Sequence, residues 1–145
     1  MNMRKLSAIL CFILAATMLV GCTAAKGSVK VRQGNALSKT VDLTVLTTEP
    51  VKGTVTDHDG KQTEIDAEGV LVSDVLLAGG IESSWIGDVS VQSRDKTSVE
   101  VTGSELNMAN KVYLTAQEDG TWDLVVLGDD GCVLKDVVFL HAQNI

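Results

Sequence analysis

Few side chains in this sequence could do chemistry. Cys22 directly follows Leu19-Val20-Gly21, Cys132 stands in Gly131-Cys-Val-Leu134, and His58 and His141 are the only imidazoles. A thiolate is the strongest nucleophile of the set and the group that forms thioethers, disulfides and metal bonds. Neither histidine stands in a ligand-spaced motif such as H-x-x-x-H, and the roles of both stay open. Three turns concentrate carboxylates: Asp57-His58-Asp59-Gly60, Glu118-Asp119-Gly120 and Asp129-Asp130-Gly131. An EF-hand loop counted from Asp57 has Glu68 at its twelfth position, but its sixth is Gln62 where the sharp turn needs Gly. Asp and Gly serve hairpin turns for backbone reasons, so these segments read as turns rather than cation sites. Gly-rich phosphate loops and nucleophile elbows are missing, and Ser73 and Ser104 read as helix caps. No metal, no cofactor and no catalytic residue is expected, and the balance is against an enzyme.

Cys22 has a context of its own. Arg4 and Lys5 precede the apolar run Leu6 to Val20, the pattern of an export signal. The run is shorter than the roughly 20 apolar residues a spanning helix needs. Its ending, Leu19-Val20-Gly21-Cys22, resembles the lipobox of bacterial lipoprotein precursors: an apolar residue, small residues, then cysteine. The resemblance implies that residues 1–21 are a cleaved signal and that Cys22 is lipidated. The mature chain would then be held at the extracytoplasmic face of the cell membrane. Two or more acyl chains hold a protein stably, since each buried methylene contributes about 0.8 kcal/mol.

Charge and cysteine number bound the rest. The 145 residues carry 12 basic and 19 acidic side chains, a net charge of −7. Without Arg4 and Lys5 the remaining chain has ten basic against 19 acidic groups, a net charge of −9. Such a domain is a poor match for nucleic acid. With Cys11 in the signal and Cys22 lipidated, Cys132 has no partner for an internal disulfide. It reads as a small core residue at a strand start. Trp85, Trp122 and Tyr113 read as packing residues.

The elements that must position these groups follow from hydrophobic period. Residues 22–30 are small and polar, suited to a lipid-proximal tether, and 31–145 read as one domain. Val41-Asp-Leu-Thr-Val45 alternates as a strand. Val51–Val55 and Gln62–Ile65 flank the first acidic turn, Val89–Ser93 and Thr97–Val101 flank Arg94-Asp-Lys96, and Lys111–Thr115 and Trp122–Leu127 flank the second. These are hairpins. The third acidic turn leads to last strands ending at Val137–His141. Val70–Ala78 is apolar at helical spacing with a Gly79-Gly80 stop and Ser73-Asp74 as a possible cap. Val72, Val75 and Leu76, with Leu71 beside them, would face a sheet that includes Val89, Val91, Leu124 and Val126. Thr102-Gly-Ser-Glu105 fits a capping box for a second short helix. The fold class predicted is α+β, mainly β with two short helices.

From Glu68 onward the order of elements resembles the molybdopterin-binding domain of sulfite oxidase-like proteins. The carrying residues are Gly69–Leu76 with Gly80-Ile81, Val89–Asp95, Val99–Leu106, Val112–Ala116 with Asp119-Gly120, and Leu124–Gly131 with Leu134–Val138. The resemblance implies that fold over 68–145. In the family an upstream cysteine thiolate ligates molybdenum, whereas the upstream cysteine here is Cys22. The family's basic and aromatic residues are missing around Gly131-Cys-Val-Leu-Lys135. The implication is the fold without its cofactor. The anchor, the acidic domain and the missing catalytic constellation point to a membrane-anchored, non-catalytic domain that binds an unidentified protein partner or small ligand. The alternative is a degenerate or partner-completed oxidoreductase.

Overall fold

A computed structural model describes residues 26–82 and 87–143. Cys22, the segment read as an export signal, and Trp85 lie outside the described residues. The class is α+β and mainly β: among the described residues, eleven strands form two sheets, accompanied by two short helices and a 3-10 turn.

The first sheet has the order β2-β1-β11-β5-β6, from Lys39–Asp42, Ser28–Gln33, Val137–Ala142, Val89–Ser93 and Ser98–Val101. β1 begins at Ser28, inside the segment read as tether, because Val29 and Val31 alternate with Lys30 and are fully buried. β1 runs parallel to β11; the other pairings are antiparallel. In β11 the register slips between Val137, opposite Ser93, and Phe139, opposite Gln92. This bulge moves the inward set from Val137 to Leu140 and Ala142, all buried.

The second sheet has the order β10-β8-β7-β4-β3-β9: Cys132–Leu134, Trp122–Val126, Val112–Ala116, Gln62–Leu71, Glu49–Thr56 and Gly128–Asp129. Its two edges, β9 and β10, are separated in the chain by Asp130 and Gly131 alone. The sheet therefore rolls on itself, and Gly131 N–H donates to Thr56 O at 2.9 Å across the seam. One side of β7 and β8 faces the main core through Val112, Leu114, Trp122, Leu124 and Val126, which join Val29, Val31, Val89, Val91 and Leu140 of the first sheet. Tyr113 and Val125 on the other side are buried too, as are Val51 and Val55 of β3, inside the roll. All five residues of β8 are buried, which matches the unalternating run Trp122–Leu127.

Helix α1, Val72–Ala78, is shorter than the segment predicted. Gly69–Leu71 finish β4 instead, and their backbone pairs with Thr115, Leu114 and Tyr113. Strand runs straight into helix, so Leu71 is the N-cap without a side-chain hydrogen bond, and Ser73-Asp74 is not the cap. The predicted stop holds. Gly80, at φ 91°, donates to Leu77 O, and Ile81 N–H reaches back to Leu76 O at 3.0 Å. That is a Schellman ending with its apolar contact between Ile81 and Leu76, both in the core. Val72, Val75 and Leu76 are buried, and Leu71 is half-buried. Helix α2, Gly103–Leu106, carries the predicted capping box between Thr102 and Glu105, so Thr102 rather than Ser104 is its cap. The strand read through Val45 stops at Asp42, whose carboxylate accepts from Thr44 N–H and turns Leu43–Val45 into a 3-10 helix.

Candidate functional site

The residues with chemical potential do not converge. His58 is exposed at the tip of the β3–β4 hairpin. His141 lies on β11, with Nε2 at 3.0 Å from the Gly34 carbonyl and its ring edge-on to Phe139. Cys132, half-buried at the start of β10, packs against the core. Burial, and then Glu105, push its thiol above the ordinary range. Two of the three acidic turns use their own carboxylate. Asp57 Oδ1 accepts from Asp59 and Lys61 N–H, and Asp119 Oδ1 from Thr121 N–H and hydroxyl. Among the described residues, no group of three His, Cys, Asp or Glu is placed to hold a metal ion.

What the fold does assemble is a hollow between α1 and α2. Leu76, Ile81 and Leu106 give it an apolar floor, Asp74, Glu82 and Asn107 are exposed at its mouth, and it encloses about 230 Å³. Four devices hold its walls. Burial of Val72, Val75 and Leu76 fixes α1, and its Schellman ending turns Ile81 under the helix. The capping box fixes α2, while Gly103 N–H donates to Asp88 Oδ1 at 2.9 Å and ties α2 to the start of β5. A Cβ at Gly103 would come within 3.0 Å of the Gly87 carbonyl, so the wall needs glycine there.

Leu77 belongs to two hollows at once. It is 56% exposed and forms a ridge with Asp74 between the α1–α2 hollow and a second depression beside Leu46, Thr47 and Val70. Leu77 alone marks nothing, since Leu37 and Val45 are more exposed; it is the concave, partly apolar hollow beside it that offers a place for an apolar group. The charged side chains at the mouth are carboxylates, so the hollow suits a neutral or cationic apolar group. No family model matches the chain, and no curated protein matches it.

Sequence reading identified the parts of this hollow but not the hollow itself. Helix α1, its glycine stop and the capping box were each legible, and nothing in the spacing said that α2 would come to lie beside α1. Ser73 and Ser104, read as caps, are exposed instead, Ser73 on the hollow's wall.

Proposed function

We propose that this chain is a membrane-anchored extracytoplasmic lipoprotein whose single domain binds a partner or small ligand and is not an enzyme. The anchoring rests on Leu19-Val20-Gly21-Cys22 after its apolar run. The binding role rests on one observation, the apolar hollow between α1 and α2 with exposed Leu77 at its rim. A binding pocket of this kind combines an apolar floor with a few placed polar groups.

The fold itself we read as a cofactor-free relative of the sulfite oxidase-type molybdopterin domain. The succession of α1, the β5–β6 hairpin, α2 and the β7–β8 hairpin supports that reading, being the order the resemblance leads one to expect. A pyrophosphate-bearing pterin would need cationic clamps. The hollow offers Asp74 and Glu82 and does not fit one. The rival reading, an oxidoreductase domain completed by a partner, draws on the same order of elements, and metal analysis of protein purified with its partners separates the two. Stoichiometric molybdenum would overturn the binding-domain reading.

A direct test is a titration with small apolar amines followed by amide chemical shifts. Shifts confined to Ser73–Leu77 and Gly103–Asn107, abolished when Leu106→Trp fills the hollow, are the expected result. Scattered or absent shifts would refute the site.

A further inference from the structure

We infer that the free edge of β4 is a strand-addition site for an extended, basic protein segment. β4 runs for ten residues, yet β7 covers only Gly69–Leu71. Among the described residues, Gln62–Glu68 pair with β3, and no strand pairs with Gln62–Glu68 on their other side.

The direction of the backbone groups along this edge follows from the hairpin. Asp57 N–H donates to Lys61 O at 3.0 Å, so the pair at the turn is hydrogen-bonded. Bonded and non-bonded pairs alternate in an antiparallel ladder. The non-bonded pairs are then Thr56 with Gln62, Thr54 with Glu64, Lys52 with Asp66, and Pro50 with Glu68. Pro50, which has no N–H to give, falls where none is needed. Gln62, Glu64 and Asp66 therefore turn their N–H and C=O groups away from β3, toward the open side, and Glu68 turns its N–H there too, next to the point where β7 joins at Gly69. An unpaired row of this kind is a template for another strand.

Charge selects which strand. Glu64, Asp66 and Glu68 are two apart, share one face of the ribbon and are all exposed. Carboxylates alone would make nothing more than a soluble edge; here they stand on the residues whose backbone is unpaired. A second copy of this edge would place carboxylate against carboxylate and is disfavoured. A segment with Lys or Arg at alternate positions meets the backbone row and the carboxylates together. The edge is about 23 Å long at roughly 3.3 Å per residue, enough for a strand of five to seven residues.

The test titrates the full chain, in nonionic-detergent micelles, with a labelled heptapeptide of Lys alternating with Val, read by fluorescence anisotropy and amide hydrogen exchange. Saturable binding with slowed exchange at Glu64, Asp66 and Glu68 is expected. Glu in place of Lys in the peptide should abolish it. Asp66→Pro removes one outward N–H and should weaken binding about tenfold. Because that variant can disturb the hairpin, the same comparison is made from the peptide side, with backbone N-methyl groups on alternate residues. One methylation pattern should abolish binding and the other should leave it, at identical charge. No binding, protection elsewhere, or equal binding of both methylated peptides with loss in salt (charge attraction without strand pairing) would overturn the proposal.

Discussion

The backbone N–H of Asp136 donates to Asp123 Oδ1 at 3.0 Å, linking β8 of the rolled sheet to the turn that enters β11 of the other sheet. Asp136 holds φ at 57°, and its own carboxylate accepts from Arg94 Nε at 2.9 Å while its carbonyl accepts Arg94 N–H. A relay of three residues thus connects the two sheets through the β5–β6 turn. Its buried member is Asp123, 9% exposed.

Burial pushes the Asp123 carboxyl above the ordinary carboxylate range; the bond from Asp136 N–H and the nearby Lys135 oppose the shift without cancelling it. The folded chain therefore holds this proton more tightly than the unfolded chain. Stability from this group is present below the ordinary carboxylate range and is lost as pH rises from that range through the raised value. Asp123→Asn keeps the acceptor and cannot ionise, so denaturation at a series of pH values should show this decline flattened. Asp123→Ala leaves the Asp136 N–H without its partner and should cost about 1–3 kcal/mol. A pH profile unchanged in the asparagine variant would contradict the assignment.

Gly131 closes the roll. A Cβ there would collide with the Val126 carbonyl, lie 2.8 Å from the Gly128 carbonyl and press on Val55. Backbone oxygens cannot move aside as a flexible side chain can. Gly131→Ala should cost about 3 kcal/mol or more, beyond the usual overpacking range, and urea denaturation measures it. A loss below 1 kcal/mol, roughly the effect of a surface change, would mean that the seam is looser than described.

How much of this was legible in the sequence varied with how local the cause was. The three hairpins β3–β4, β5–β6 and β7–β8 were readable because alternation and turn residues act over a few positions. Thr102 and Glu105 were readable as a capping box for the same reason. Asp42 shows a local competitor winning: its side chain captured Thr44 and ended a strand that alternation alone would have continued. Gly69–Leu71 carry apolar residues that suit strand and helix alike, and only their pairing with β7 decides between them. The roll and the α1–α2 hollow depend on contacts across long stretches of chain. The one hint of the roll was that Trp122–Leu127 does not alternate.

Leu76 tests the wall of the hollow and the core together. It is 4% exposed, sits one turn from Val72 and accepts the Ile81 N–H that closes the helix. Leu76→Ala should cost roughly 2–5 kcal/mol. Leu77→Ala, one residue on but 56% exposed, should change stability by less than about 0.5 kcal/mol. Thermal unfolding of the two variants gives the contrast, and equal effects would break the assignment of faces on α1.

Cys132 should be chemically quiet. Its raised thiol keeps the reactive thiolate scarce at neutral pH, and its side chain packs against the core. A thiol reagent should label native protein slowly and denatured protein at once. Cys132→Ala should cost at most about 1–2 kcal/mol and leave binding intact. Rapid native labelling together with loss of binding in the variant would assign the thiol a function.

The last prediction joins the anchor to the fold. Lys26 Nζ donates to the Asp119 carbonyl at 3.2 Å, which fixes the first described residue beside the β7–β8 turn. Three residues lie between Cys22 and Lys26, which makes four chain steps, and an extended chain covers at most about 3.6 Å per step. A lipidated Cys22 would therefore hold the Lys26 backbone within about 14 Å of the membrane surface, with the β7–β8 turn one lysine side chain away. Two outcomes follow. Cys22→Ala should abolish both incorporation of a fatty-acid probe and removal of the signal, since no other thiol follows the apolar run so closely. In the lipidated protein, a spin label at Glu118 should be broadened by paramagnetic lipid headgroups, and one at His58 on the β3–β4 tip provides the comparison. Persistent fatty-acid label on the alanine variant would refute the anchor, and a Glu118 label untouched by the headgroups would refute the orientation.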